Sequence, residues 1–144
     1  VLDTPPEERF DRLTRLAAAI FDVPTALVSL VDRDRQWFKS AHGSEARETP
    51  REISFCAHAV ASKAPMVVPD ALADPRFAEN PMVKGAPRVR FYAGQPLILP
   101  DGNCVGTVCL VDTRPRDLDQ RAMGLLRDIA ELVRRELLLT DAKA

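Results

Sequence analysis

Cys56-Ala57-His58 puts a thiol two residues from an imidazole, the pair of groups from which a thiolate nucleophile and its base are made. The spacing works against that use. Ser54 is a good helix cap and Phe55 to Ser62 read as a short helix, on which residues two apart do not face each other. No third group that would orient the imidazole is evident. His58 and His42 are each candidates for a haem ligand. His42 stands beside Gly43 in a charged stretch and reads as a solvated turn residue, whereas His58 reads as a half-buried, hydrogen-bonded one. Two histidines are too few for a multi-ligand zinc centre, so no metal site is assigned. Cys56, Cys104 and Cys109 are odd in number and lack paired spacing, which fits small core residues in a reducing compartment. In VVPDALADPRF, Asp70 and Asp74 read as caps of short turns with Arg76 pairing to either acid. The functional alternative is that Arg76 or Arg90 grips an anionic ligand with its fork of donors. No catalytic residue is assigned.

The elements that must hold these groups are legible from periodicity. Asp3-Thr4-Pro5-Pro6 reads as a helix entrance, followed by acidic Glu7 and Glu8. Phe10, Leu13, Ala17 and Ile20 recur at helical spacing with Leu16 beside them, and Pro24 ends the helix. Thr25 to Val31 is a β-rich run. Asp32-Arg33-Asp34 is a polar turn, and Gln36 to Ala41 is the returning strand, with Trp37 in the core. Gly43 to Arg51 is a charged loop. Met66 to Val68 is a short strand. Asp70 to Pro87, with three internal prolines or glycines before its last residue, is a long irregular loop of the kind that is usually functional or mobile.

Phe91 to Val111 reads as two strands closed by Asp101-Gly102 in a type I′ turn. With a two-residue loop, Tyr92, Gly94, Pro96 and Ile98 share a face with Val105, Thr107, Cys109 and Val111. Phe91, Ala93, Leu97, Leu99, Val108 and Leu110 share the other, bulkier face, which is assigned to the terminal helices; Cys104 is expected on that helix side. The first face mixes small residues with sparse polar groups, as the floor of a small-molecule pocket requires. Its candidate lining is Tyr92, Gly94, Pro96, Thr107, Cys109 and Val111. Cys56, His58, Asp70, Arg76 and Phe77, from the short helix and the long loop, complete it. The alternative is that the loop simply fills this space.

Asp117 to about Leu139 reads as the last helix. One apolar stripe is Leu118, Ala122, Leu125, Ile129 and Leu132. Beside it lies a second, Leu126, Ala130, Val133 and Leu137, which is assigned to a partner helix in a homodimer. With 144 residues, 46% of them hydrophobic, the chain fits one domain with a sizeable core. A formal charge of −1 gives no field that draws nucleic acid or anionic lipid. No apolar run approaches the ~20 residues that span a bilayer, and no leader pattern opens the chain. Residue 1 is Val, which reads as an excision from a longer polypeptide.

RQWFKS, ETPREISFCAHAV, MVVPDALADPRFAENPMV, FYAGQPL and DGNCVGTVCLVDTRPR, in this order, resemble a bacterial GAF domain. The type is the one N-terminal to diguanylate cyclases and sensor histidine kinases, and the likeness covers residues 8 to 138, the core of a single domain over 1–144. It implies an α+β, PAS-related fold with a central antiparallel sheet of five or six strands. The terminal helices would pack on one face, with loops and short helices over a pocket on the other. It implies a cytoplasmic regulatory domain without activity of its own, which binds a small molecule or dimerises to control an attached cyclase or kinase. A pure dimerisation module is the alternative. A third reading is a thiol-dependent enzyme like the free methionine sulfoxide reductases, whose conserved position Cys56 resembles. However, the catalytic cysteine of that subgroup has no counterpart in Asp70 to Pro87. The Cys-His pair of bilin-binding members is likewise absent, so no covalent cofactor is expected; any other cofactor is left unassigned.

Overall fold

Ten elements follow one another: α1 (Glu8–Phe21), β1 (Thr25–Val31), β2 (Arg35–His42), β3 (Glu48–Pro50), α2 (Phe55–Ser62), β4 (Met66–Val68), α3 (Pro81–Lys84), β5 (Phe91–Ile98), β6 (Cys104–Asp112) and α4 (Gln120–Lys143). The structure, a computed structural model, describes residues 4–31, 35–44, 46–50 and 54–143, the last four as backbone only. Asp3, the Asp32-Arg33-Asp34 turn and Arg51 lie outside the described residues. The strands form one six-stranded sheet in the order β3-β2-β1-β6-β5-β4, antiparallel throughout. β3 falls inside the stretch expected to be a charged loop. It is a three-residue edge strand ending at Pro50, where a missing N–H costs the ladder little.

One face of the sheet is largely apolar and covered by α1 and α4. Phe10, Leu13, Ala17 and Phe21 meet Val28, Trp37, Phe91, Leu97, Val108 and Leu110 there. Ile20, expected on the buried stripe, is 51% exposed, and Phe21 fills that place. The helix stops where Asp22 takes a left-handed conformation, φ 51°, and Val23 N–H donates back to the Ala18 carbonyl at 3.1 Å. The register of β1 on β2 shifts after Val28, so that Lys39 and Ser40 both turn toward α1. Ser40 donates to Asp11 at 2.6 Å and contacts Thr14 at 2.8 Å. The Lys39 ammonium is fully buried and reaches Glu7 at 2.6 Å, Thr4 Oγ1 at 2.8 Å and the Pro5 carbonyl at 2.7 Å. It pins the approach to α1 against the sheet.

α4 begins at Gln120 rather than Asp117, because Asp119 is its cap: the carboxylate accepts from Ala122 N–H at 2.8 Å. The stripe assigned to a partner helix is core instead, and the other stripe divides: Ile129 is buried beside it, Leu118 and Ala122 pack against the core, and Leu125 and Leu132 face out. Leu126, Ala130, Val133 and Leu137, assigned to a partner helix, are buried in the core against the sheet and α1. Leu125 and Leu132 are left 37% and 47% exposed, and Leu139 52%. A stripe is placed by the roll of the helix on the sheet, which periodicity alone does not set.

The β5–β6 hairpin corrects the turn as well. Leu99 N–H donates to the Asn103 carbonyl and Gly102 N–H to the Leu99 carbonyl, both at 2.9 Å, so the loop is Pro100-Asp101-Gly102. Only Gly102 has positive φ, at 88°, which is the three-residue turn with a left-handed glycine and not type I′. The extra loop residue shifts the register by one, and a bulge at Val105 shifts it back: Ile98 pairs with Cys104, but Leu97 with Gly106. Gly94 therefore still faces Cys109, and Pro96 still faces Thr107. Val105, expected on the pocket side, packs on the helix side. Cys104, expected on the helix side, pairs with Ile98 beyond the bulge, half-buried, with its sulfur 3.5 Å from the Gly106 carbonyl and outside the core packed under the helices.

Candidate functional site

The second face of the sheet carries α2 across its centre. Ser54 caps that helix, accepting from Ala57 N–H at 3.2 Å, and donates to the Gln36 side chain. Phe55, Cys56 and Ala59 press down on β5 and β6. Consequently Gly94, Pro96 and Thr107, expected in the pocket floor, lie outside the cavity lining. Gly94 has another role. A Cβ there would stand 2.3 Å from the Tyr92 hydroxyl, so the missing side chain is what lets Tyr92 lie along its own strand and reach α2.

The long segment after β4 is a chain of turns held by its own polar residues. Asp70 accepts from Leu72 N–H at 3.1 Å, Asp74 from Arg76 N–H at 2.9 Å, and Asn80 from Met82 N–H at 2.9 Å. Ala71, Phe77, Val83 and Val89 are its buried anchors. Phe77 stacks on Phe55 with ring centroids 4.2 Å apart and planes 7° from parallel, and His58 meets the Phe77 ring at 4.8 Å. Phe77 thus pins the segment beneath α2 and does not line the cavity. His58 and His42 are both surface residues outside the lining. Arg76 is exposed, pairs with Asp74 at 2.7 Å and also lies outside it, as does Asp70. The Asp74–Arg76 bond holds that carboxyl below its ordinary value. Arg90 is committed to the Val83 and Val89 carbonyls, at 2.9 and 3.1 Å.

The cavity that remains, about 230 Å³, lies to one side of α2. Leu27, Phe38, Phe55, Tyr92, Cys109 and Val111 supply apolar walls, and Met82, Pro87 and Val89 close it from the long segment. Polar groups are few: Thr25, Gln36, Ser44, Thr49, Asp112 and Thr113. Of the expected lining, Cys56, Tyr92, Cys109 and Val111 are present. Leu27 and Phe38 were missed, although both alternate onto the same face as Cys109. The signal lay in the pairing of β1 with β6, which joins strands far apart in the chain. Asp112 is buried and accepts from Thr113 N–H at 2.7 Å and from Arg116 at 3.2 Å. Burial opposes its ionisation, but Arg116 and these N–H groups hold the carboxyl below its ordinary value.

A second polar cluster sits under the first turn of α2. Tyr92 donates to Cys56 Sγ at 3.0 Å, Thr107 Oγ1 lies 2.9 Å from that sulfur, and Cys109 Sγ lies 3.8 Å away. Burial opposes ionisation of Cys56; bonds from Cys109, Thr107 and Tyr92 outweigh it and bring the thiol down to about 7. The nearby Cys56 sulfur, with burial, pushes the Cys109 thiol up, and burial with the same sulfur raises the Tyr92 hydroxyl. No group of three or more metal-ligating side chains occurs among the described residues.

A family model for the GAF domain matches residues 5–137. The chain belongs to the GAF domain family. A cyclic di-GMP phosphodiesterase of Pseudomonas aeruginosa is 42% identical over 134 residues, which are 92% of this chain and 23% of that enzyme. The chain therefore spans under a quarter of the curated relative it matches. The GAF domain of an Acinetobacter phosphoenolpyruvate-protein phosphotransferase superposes with a TM-score of 0.77 at 14% identity, over 99% of this chain and 88% of that one. A free methionine-R-sulfoxide reductase from Neisseria meningitidis superposes with a TM-score of 0.76 at 17% identity, over 94% and 79%. At such identities the likeness is one of fold. Among the described residues no helix is long and apolar enough to cross a membrane.

Proposed function

We propose that this GAF domain is the sensory part of a longer signalling protein, and that its cavity takes a small, largely apolar molecule whose occupancy is passed to α1 and α4. The observation that carries this reading is the cavity of about 230 Å³ with Asp112 in its wall. It is smaller than the roughly 300–1,000 Å³ of sites for drug-sized ligands, so a tetrapyrrole or cyclic dinucleotide exceeds it. Asp112 holds Arg116, and Arg116 in turn donates to the Phe21 carbonyl at 2.7 Å and to that of Asp22. A ligand that moves Asp112 moves the end of α1 and the approach to α4. The effect on the output requires different affinities for two arrangements of these helices.

The output domain was expected to be a diguanylate cyclase or histidine kinase. The 42% identical relative is named as a cyclic di-GMP phosphodiesterase, which favours turnover of that dinucleotide as the controlled activity. Native mass spectrometry of the purified domain tests the cavity: a retained small molecule is expected, and Val111→Trp, which fills the space, should lose it. Spin labels at the α4 ends should then report a changed distance on reloading; identical distances at saturation overturn the reading.

A dimerising role has its own support. Leu125, Leu132 and Leu139 recur every seventh residue on the open side of α4, with exposed Leu16 and Ile20 on α1. This is the spacing of a helix seam. In this reading the partner contact uses these residues, in place of the buried stripe first assigned to it.

A further inference from the structure

Cys56 is the second residue of α2, in the turn whose N–H groups and dipole favour negative charge. Hydroxyls of Tyr92 and Thr107 approach its sulfur to 3.0 and 2.9 Å. A third, Ser29 Oγ, is fully buried on the same side, near enough to the sulfur to help lower the thiol's pKa, yet it makes no hydrogen bond of ordinary geometry to any group. A neutral thiol is a weak acceptor and does not use three hydroxyls. An oxygen added to the sulfur would, and would give Ser29 the acceptor it lacks. A second thiol, Cys109, waits at 3.8 Å, and both cysteines line the cavity. His58 is turned away onto Phe77, so no imidazole takes part.

We propose that Cys56 is an oxidisable thiol and Cys109 its resolving partner, and that a small hydroperoxide reaching the cavity converts the two into a disulfide. The Cys56 thiolate attacks the terminal peroxide oxygen and the O–O bond breaks. The leaving oxygen departs as alcohol or water with one proton, and Cys56 becomes a sulfenic acid. The Cys109 sulfur then attacks Cys56 Sγ and displaces the hydroxyl, which leaves as water with the Cys109 proton. Two thiols are oxidised and one peroxide is reduced. The sulfurs close from 3.8 Å to about 2.05 Å, tying the first turn of α2 to β6 across the cavity floor. This chemistry does not rest on a regulatory ligand occupying the cavity.

The test uses the reduced domain with Cys104→Ser, which removes the half-exposed third thiol. After hydrogen peroxide and denaturing alkylation, mass spectrometry should find both remaining thiols blocked and a Cys56–Cys109 cross-linked peptide, reversed by dithiothreitol. Cys109→Ser should instead accumulate a dimedone adduct at Cys56, and Cys56→Ser should leave Cys109 alkylatable at peroxide levels that convert the parent. Two alkylatable thiols after peroxide in the folded domain overturn the proposal. So does oxidation at Cys109 first, or an absent dimedone adduct in folded Cys109→Ser. In the unmutated domain, a bond from Cys56 to Cys104 in place of Cys109 would do the same.

Discussion

Tyr92→Phe removes one oxygen from the centre of the site and leaves the ring, which packs 5.3 Å from Phe55, in place. That hydroxyl donates to Cys56 Sγ at 3.0 Å in a fully buried setting. A hydrogen bond to a charged group contributes about 1.5–3 kcal/mol, and one pKa unit corresponds to about 1.4 kcal/mol. The Cys56 thiol, held at about 7, should therefore rise by about one to two units in the variant. Thiolate falls from about half of the population at pH 7 to roughly a tenth or a hundredth, so native alkylation of Cys56 slows about five- to fifty-fold. The direction of the shift also sets a stability window. A thiol lowered by folding stabilises the native state at pH above its unfolded value, and that contribution fades as pH falls through 7. The assay is the rate of iodoacetamide modification at Cys56 against pH, followed by mass spectrometry. An unchanged midpoint in the variant, with the near-ultraviolet spectrum retained, would refute the claim that Tyr92 holds the thiolate.

Lys39→Met should cost about 2 kcal/mol, the loss of charged hydrogen bonds from a buried ammonium, read by urea unfolding. Glu7 is lowered to about 2, first by Lys39 and then by Arg9, so its contribution is complete above 4.5 and fades toward pH 2. The variant should lose part of the stability change across that window, and an identical pH profile would exclude the tie. Leu132→Glu, on the open side of α4, should shift stability by only about 0.5 kcal/mol yet dissociate a dimer in sedimentation. A variant that stays dimeric sinks the seam. Phe77→Ala should cost about 3–5 kcal/mol and open the segment between β4 and β5 to protease. Undiminished resistance would show that the Asx turns alone hold it.

The fold was legible because its signals are local. The β-rich run at 25–31, the paired strands on either side of Gly102, the cap at Ser54 and the break at Pro24 each depend on a few adjacent residues. The hairpin faces came out right in their centre even though the turn was misassigned, because the bulge at Val105 cancels the extra loop residue. A bulge of this kind has no local sequence mark beyond Gly106, where a Cβ would stand 1.9 Å from the Ser29 carbonyl of the neighbouring strand. The site was half legible for the opposite reason. Its walls come from β1, β2, β6, α2 and the segment before β5, so membership depends on strand order and on where α2 lands. The same limit explains the misplaced second stripe of α4. Leu125 and Leu126 are adjacent and equally apolar; only packing against Trp37, Leu97 and α1 makes one core and the other surface.

β6 gives these separate features a common origin. Along nine residues it presents Thr107 and Cys109 to the cluster under α2, Cys109 and Val111 to the cavity, and Val108 and Leu110 to the terminal helices. At its end Asp112 faces the cavity while its carboxylate gathers Arg114 and Arg116. Arg116 N–H also donates to the Pro69 carbonyl at 3.0 Å, so the same residue touches the long segment, α1 and the lead into α4. A strand between two central partners is poorly placed to bend, and its ladder to β1 and β5 runs nearly its whole length. Movement imposed at Cys109 or Val111 is therefore better relieved at the end of the strand, where pairing stops and Arg116 ties Asp112 to the end of α1 just ahead of the lead into α4. Arg116→Ala separates the two possibilities: if the bridge carries the signal, ligand or disulfide at the cavity should leave the α4 distances unchanged in the variant while still forming at full occupancy.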